Sequence, residues 1–124
     1  MTSRFFLPVM CIFVACGGFA DADNEAVTVS YYGFEIERIT GIHEEEIEEL
    51  GCTYSAEADT IDSALSEVDS SDVAYDRRDV RAKIQMHGKS YFVDRAGVVR
   101  QGDDYYRLDK ARFIASLTLV GECE

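Results

Sequence analysis

The sequence predicts an α+β domain: an antiparallel sheet of four to five strands, one N-terminal strand plus a C-terminal β-meander, with two short helices and a C-terminal helix packed on one face. Three observations predict it. Apolar and polar residues alternate over 27–37 and again from 80 onward, the period of half-buried strands. Short turns, most of them containing glycine, separate the later runs, as hairpins require. Between and after these runs lie stretches with helical spacing, cap residues and glycine stops.

In the first strand Val27, Val29 and Tyr31 alternate with Thr28 and Ser30, and Phe34-Glu35-Ile36-Glu37 repeats the pattern after Gly33. This reads as one long strand, bent or bulged at the glycine. A short helix is expected over 44–50. His43 stands at its cap with Glu46 three residues on, Ile42 and Ile47 have the spacing of a hydrophobic staple, and Gly51 ends it. A second helix is expected over 60–68, capped by Asp59, with Ile61, Ala64, Leu65 and Val68 on one face. Residues 69–72 read as a loop. Val80, Ala82, Ile84 and Met86 then alternate with Arg81, Lys83 and Gln85, a half-buried strand. His87-Gly88 turns it into a strand over 89–94, Arg95-Ala96-Gly97 turns that into 98–100, and 101–104 leads into 105–108. The last helix is expected over 110–120, capped by Asp109, with Leu108 and Phe113 as a second staple. Its apolar face is Phe113, Ile114 and Leu117, and Gly121 stops it.

The first 22 residues read as an export signal rather than as part of this domain. Arg4 lies in a short polar leader, an apolar run follows over 5–15, and small residues close the segment at Ala20-Asp21-Ala22. The run is shorter than the about 20 residues a helix needs to cross a bilayer, and no later stretch approaches that length, so no transmembrane helix is expected. Cleavage after Ala22 leaves a soluble protein starting at Asp23. An alternative cut uses Phe13-Val14-Ala15-Cys16, which resembles a bacterial lipobox and implies a lipid anchor on Cys16, with Gly17-Gly18 opening a tether. Either way the protein is exported to the periplasm, soluble or held at the membrane as a lipoprotein. Residues 23–124 form a single small domain.

Of four cysteines, Cys11 is lost with the signal and Cys16 is lost or acylated. Cys52 and Cys123 remain in an oxidising compartment, where a disulfide between them is expected. Neither belongs to a C-x-x-C pair or stands beside a second metal-type ligand, so zinc and redox chemistry are not expected.

Charge is unevenly spread. Residues 35–72 hold thirteen acids against one base, Arg38, whereas residues 73–124 hold ten bases and eight acids; the chain carries −12 in all. Such a surface repels nucleic acid and anionic lipid and attracts a cationic partner. Its densest part is Glu44, Glu45, Glu46, Glu48 and Glu49, the candidate partner-binding face, set against the alternative of acids that complement a helix dipole and otherwise face water. These acids lack the D-x-D-x-D-G order of a calcium loop, so no metal is expected. Arg77, Arg78, Arg81 and Lys83 precede or line the outer face of the Val80 strand; they suit an anionic ligand, but the favoured expectation is pairing across the sheet with Glu35 and Glu37 or lying beside Asp76 and Asp79. In Tyr31-Tyr32 and Tyr105-Tyr106, one member of each pair should face the core and the other outward.

There is no G-x-S-x-G, P-loop or H-E-x-x-H, and His43 and His87 have no serine or cysteine partner nearby in sequence, so neither an enzyme nor a cofactor is expected. Two function classes fit. One is an exported acidic binding protein of the inhibitor or immunity type, covering a cationic envelope hydrolase or toxin, so that the partner is a basic envelope protein. The other is a non-catalytic structural or assembly protein of the cell envelope whose acidity serves solubility.

Overall fold

The computed structural model describes residues 26–123; the signal over 1–22, the candidate lipid anchor Cys16 and the mature start at Asp23 lie outside them. The sheet is antiparallel throughout and has eight strands rather than four or five. In chain order the elements are β1 (Ala26–Tyr31), α1 (Ile47–Leu50), β2 (Cys52–Glu57), α2 (Ala58–Ala64), β3 (Leu65–Val68), β4 (Val80–Met86), β5 (Lys89–Asp94), β6 (Val98–Gln101), β7 (Asp104–Leu108), α3 (Lys110–Ala115) and β8 (Thr118–Leu119), with a 3-10 turn at Ser70–Asp72. Across the sheet the order is β3-β7-β6-β5-β4-β1-β2-β8.

The meander β4–β7 forms where the alternation places it. His87 and Gly88 both have positive φ, the two-residue turn that matches the strands' twist. Asp109 caps α3 by accepting the Arg112 N–H at 3.2 Å. Cys52 and Cys123 are joined as a disulfide, with their Cα atoms 5.6 Å apart.

Three strands were not expected. β2 follows α1 directly and pairs along its whole length with β1, from Ala26↔Glu57 to Tyr31↔Cys52. The second helix covers only Ala58–Ala64 and begins before Asp59, which therefore does not cap it. Leu65 is already extended, at φ −102 and ψ 136, and opens β3 against Leu108 of β7, whose free edge offers the main-chain partners that continued helix would forgo. The last helix stops at Ala115, and the chain returns as β8 beside Tyr54 and Ser55. The first strand stops at Tyr31, so residues 34–37 are not its continuation. The first helix shrinks to α1, although Glu46 reaches back to the His43 N–H at 2.9 Å as the capping-box spacing predicts.

Both faces of the sheet are covered, which corrects the expectation of helices on one face. The larger core joins Val27, Val29, Ala56, Ile84, Met86, Tyr91, Val93 and Val99 to Ile61 of α2 and Phe113 of α3. α1 lies on the opposite face, where Ile42, Ile47 and Val80 form a second cluster with Tyr32, Tyr75 and Phe92. A register shift between Val80 and Ala82 explains why Val80 leaves the face it would share with Ala82. The extra residue of that bulge is Arg81, which becomes the largest fully buried side chain of the described domain.

The sheet has two distinct ends. Ala26, the β4–β5 turn, the β6–β7 turn and Val68 lie at one; Tyr31, Cys52, Val80, Asp94 and Leu108 lie at the other.

Candidate functional site

The glutamates of 44–49 do not form one free acidic face. Glu44 turns inward and takes a bidentate ion pair from Arg100, with Arg100 Nη2 2.8 Å from its Oε1 and Nε 3.0 Å from its Oε2. The Tyr75 hydroxyl donates to the same carboxylate at 2.6 Å. Burial, reinforced by this bond to Glu44, pushes the Tyr75 hydroxyl far above its ordinary value. Glu46 holds the His43 N–H, and Glu48 pairs with Lys83 Nζ at 3.0 Å. Glu45, 79% exposed and 3.9 Å from His43, and Glu49 are left facing water.

Beneath this turn the register lines up Ser30, Lys83, Phe92, Arg100 and Tyr105 in one row across the sheet. Lys83 Nζ and the Arg100 guanidinium each lie 5.6 Å from the Phe92 ring centre, and Arg100 lies 5.7 Å from that of Tyr75. The two cations sit over aromatic faces and are matched by Glu48 and Glu44. This row fastens the segment that leads into α1, and it accounts for two of the five acids that the sequence singled out, Glu44 and Glu48.

Arg81 lies beside Asp79, one of the two arrangements expected of the bases, but it is buried and not on the outer face of its strand. Arg81 is 1% exposed and binds Asp79 at 2.9 Å and the carbonyls of Gly33 and Ile36 at 2.6 Å each. Arg95, rather than the β4 bases, reaches Glu37, at 2.7 Å. Arg77 and Arg78 border a small cleft with His43, Glu44 and Glu45. In the tyrosine pairs, Tyr31 packs on the larger core and Tyr32 on the second cluster, so the second member of that pair is not simply outward.

A second group of acids without ion pairs lies at the opposite end of the sheet. Glu67, Asp69, Asp103 and Asp104, with Val68, Ser70 and Tyr105, line a shallow cleft of about 410 Å³ beside the free edge of β3. Asp62 lies close by, 3.2 Å from His87. The rings of Tyr106 and Tyr91 meet at a tilt, with centres 5.9 Å apart. Partial burial, then the charges of Asp104, Glu67 and Asp62, raise the Tyr106 hydroxyl above its usual value. Glu67, Asp69, Asp103 and Asp104 have no ion pair among the described residues. The sequence hid this grouping because Asp103 and Asp104 belong to the half of the chain with the basic excess. Only the pairing of β3 with β7 brings them to Glu67 and Asp69.

Among the described residues no group of three or more His, Cys, Asp or Glu side chains is placed to hold a metal ion, and no helix is long and apolar enough to cross a membrane. No family model, curated protein or solved structure matches the chain.

Proposed function

We propose that the chain is an exported acidic binding protein of the inhibitor or immunity type, which covers a cationic hydrolase or toxin of the cell envelope. One observation carries this reading: the cleft of Glu67, Asp69, Asp103 and Asp104 presents carboxylates with no ion pair among the described residues, beside Tyr105 on an open sheet edge. Carboxylates without a cationic partner attract a basic surface at long range, and tyrosine supplies contact area at low entropic cost. Glu45 and Glu49 add to the same field from the other end.

The test begins with capture of a basic protein from envelope extract at low salt and its release at high salt. Its association rate is then measured against salt for the wild type and for Glu67→Lys/Asp104→Lys. The reading expects the rate to fall with salt and to fall at least tenfold in the double variant at low salt. A rate indifferent to both, or no basic protein retained at low salt, would refute it. The export step is tested separately by intact mass, which distinguishes an acylated Cys16 in the membrane fraction from a soluble form starting at Asp23.

A further inference from the structure

Residues 33–41 leave the Tyr31 end of the sheet as a loop fixed at its base, its middle and its return. At the base Gly33 has φ +121, a conformation that L side chains rarely adopt, and its carbonyl accepts from Arg81. In the middle the Phe34 ring is buried beside Tyr31 and Phe113, and its carbonyl accepts from Arg95 Nε at 3.2 Å. The Ile36 carbonyl takes a second bond from the same Arg81 nitrogen. At the return, a Cβ on Gly41 would lie 2.0 Å from the Arg78 carbonyl oxygen, so only glycine fits. The tip carries Ile39, 104% exposed, with Ile36 also open to water. Arg38 between them lies 5.4 Å from the Tyr32 ring centre and bonds the Thr40 carbonyl, so it too is held.

A single exposed isoleucine is ordinary. A fully buried arginine committed to the main-chain carbonyls of the loop that displays that isoleucine is not, because burying its charge is costly unless every donor is used. A loop ordered in advance loses little freedom when it docks.

We propose that residues 33–41 are a preformed insertion element, whose Ile39 enters an apolar pocket of a protein partner while Ile36 lies against the pocket's rim. A bilayer is the poorer occupant. Two isoleucines offer less apolar surface than one myristoyl chain, which alone binds membranes only marginally. Glu35 and Glu37 flank them, and the chain's −12 charge opposes anionic headgroups. The loop lies at the end of the sheet away from the acidic cleft, so this proposal does not depend on that one.

The test places a photo-crosslinking amino acid at position 39 of the full chain in the producing cells, and in parallel at position 103 beside the acidic cleft. The protein joined at position 39 is identified by mass, purified, and titrated with the wild type and with Ile39→Ser. The expected result is a discrete adduct at 39 and an affinity lowered roughly ten- to a hundredfold by Ile39→Ser. Melting should be unchanged, because the side chain is exposed. No adduct at 39, or an affinity that Ile39→Ser leaves unmoved, would overturn the proposal. So would co-sedimentation of the wild type, but not Ile39→Ser, with phosphatidylethanolamine–phosphatidylglycerol vesicles. An adduct at 103 with none at 39 overturns the loop and leaves the acidic face standing; an adduct at 39 with none at 103 does the reverse.

Discussion

Replacing Arg81 by methionine keeps most of the side chain's length but removes the charge, every donor and the guanidinium that lies 5.5 Å from the Tyr32 ring centre. Three bonds are lost: one to Asp79 at 2.9 Å and two to the carbonyls of Gly33 and Ile36 at 2.6 Å. Breaking a buried ion pair by removing one partner costs about 3–5 kcal/mol, chiefly from the charge left behind. Here the figure belongs at the low end. The Asp79 side chain keeps 22% of its exposure and feels the charge of Arg95, and the two carbonyls can reach water if the loop moves. A loss of about 3 kcal/mol is therefore expected, a large share of the roughly 5–15 kcal/mol that holds a domain. With a urea slope of about 1.5 kcal/mol per molar, the midpoint should fall by about 2 M. Asp79→Asn should be costly alone but add little to Arg81→Met, since the two side chains share one interaction. Hydrogen exchange should show the amides of 34–41 losing protection before those of β4 and β5. A cost below about 1 kcal/mol, with additive double-variant energies and unchanged loop exchange, would show that Arg81 does not hold this loop.

Three further outcomes are expected. Labelling the unfolded, unreduced protein should find no free thiol at Cys52 or Cys123, and reduction should cost about 4 kcal/mol by chain entropy for a crosslink spanning 71 residues; two labelled thiols would refute the bond. Phe113→Ala should cost about 3–5 kcal/mol in a denaturant melt, because the ring is fully buried and lies 5.8 Å from Tyr31 and 6.1 Å from Phe34, whereas Ile114→Ala on the open side of α3 should cost under about 1 kcal/mol. The Tyr75 hydroxyl, raised by burial and by Glu44, keeps its proton in the fold after an unfolded chain loses it near pH 10, so stability should fall as pH rises above about 10. Tyr75→Phe should make that fall shallower, and an identical slope in the variant would remove Tyr75 as its cause.

The meander was legible because nothing competes with its alternation: each run is short, bounded by a turn, and paired with its neighbour in sequence. The staple of Ile42 and Ile47 and the cap at Asp109 are equally local, and they formed. β3 was hidden because Ile61, Ala64, Leu65 and Val68 fit a helical face as well as they fit a helix followed by a strand; the free edge of β7 decides between them. β2 reads C-T-Y-S-A-E, with only Tyr54 and Ala56 turned to the larger core, too weak a pattern to stand without β1 beside it. At 34–37 the alternation was real but misleading, since Phe34 goes into the core and Ile36 to water while arginines take the carbonyls. Gly33 and Gly41, bracketing seven residues that include four charged or polar ones, were the available sign of a loop. Arg81 had no such sign. Its burial follows from a bulge, and a bulge is set by two strands together.

The opposed ends of the sheet also decide how this protein can be handled. β1 has six residues at about 3.4 Å each, so about 20 Å separates its start at Ala26 from the end that bears Cys123 and the loop. A tag, a fluorophore or a sensor surface attached ahead of Ala26 is at the same end of the sheet as Asp103, Asp104 and Glu67, though four strands away from β7, and leaves Ile39 pointing into solution. The same attachment after Cys123 is at the loop's end of the sheet and leaves the carboxylates open. A partner detected in only one of the two orientations is thereby assigned to one end of the molecule before any residue is changed.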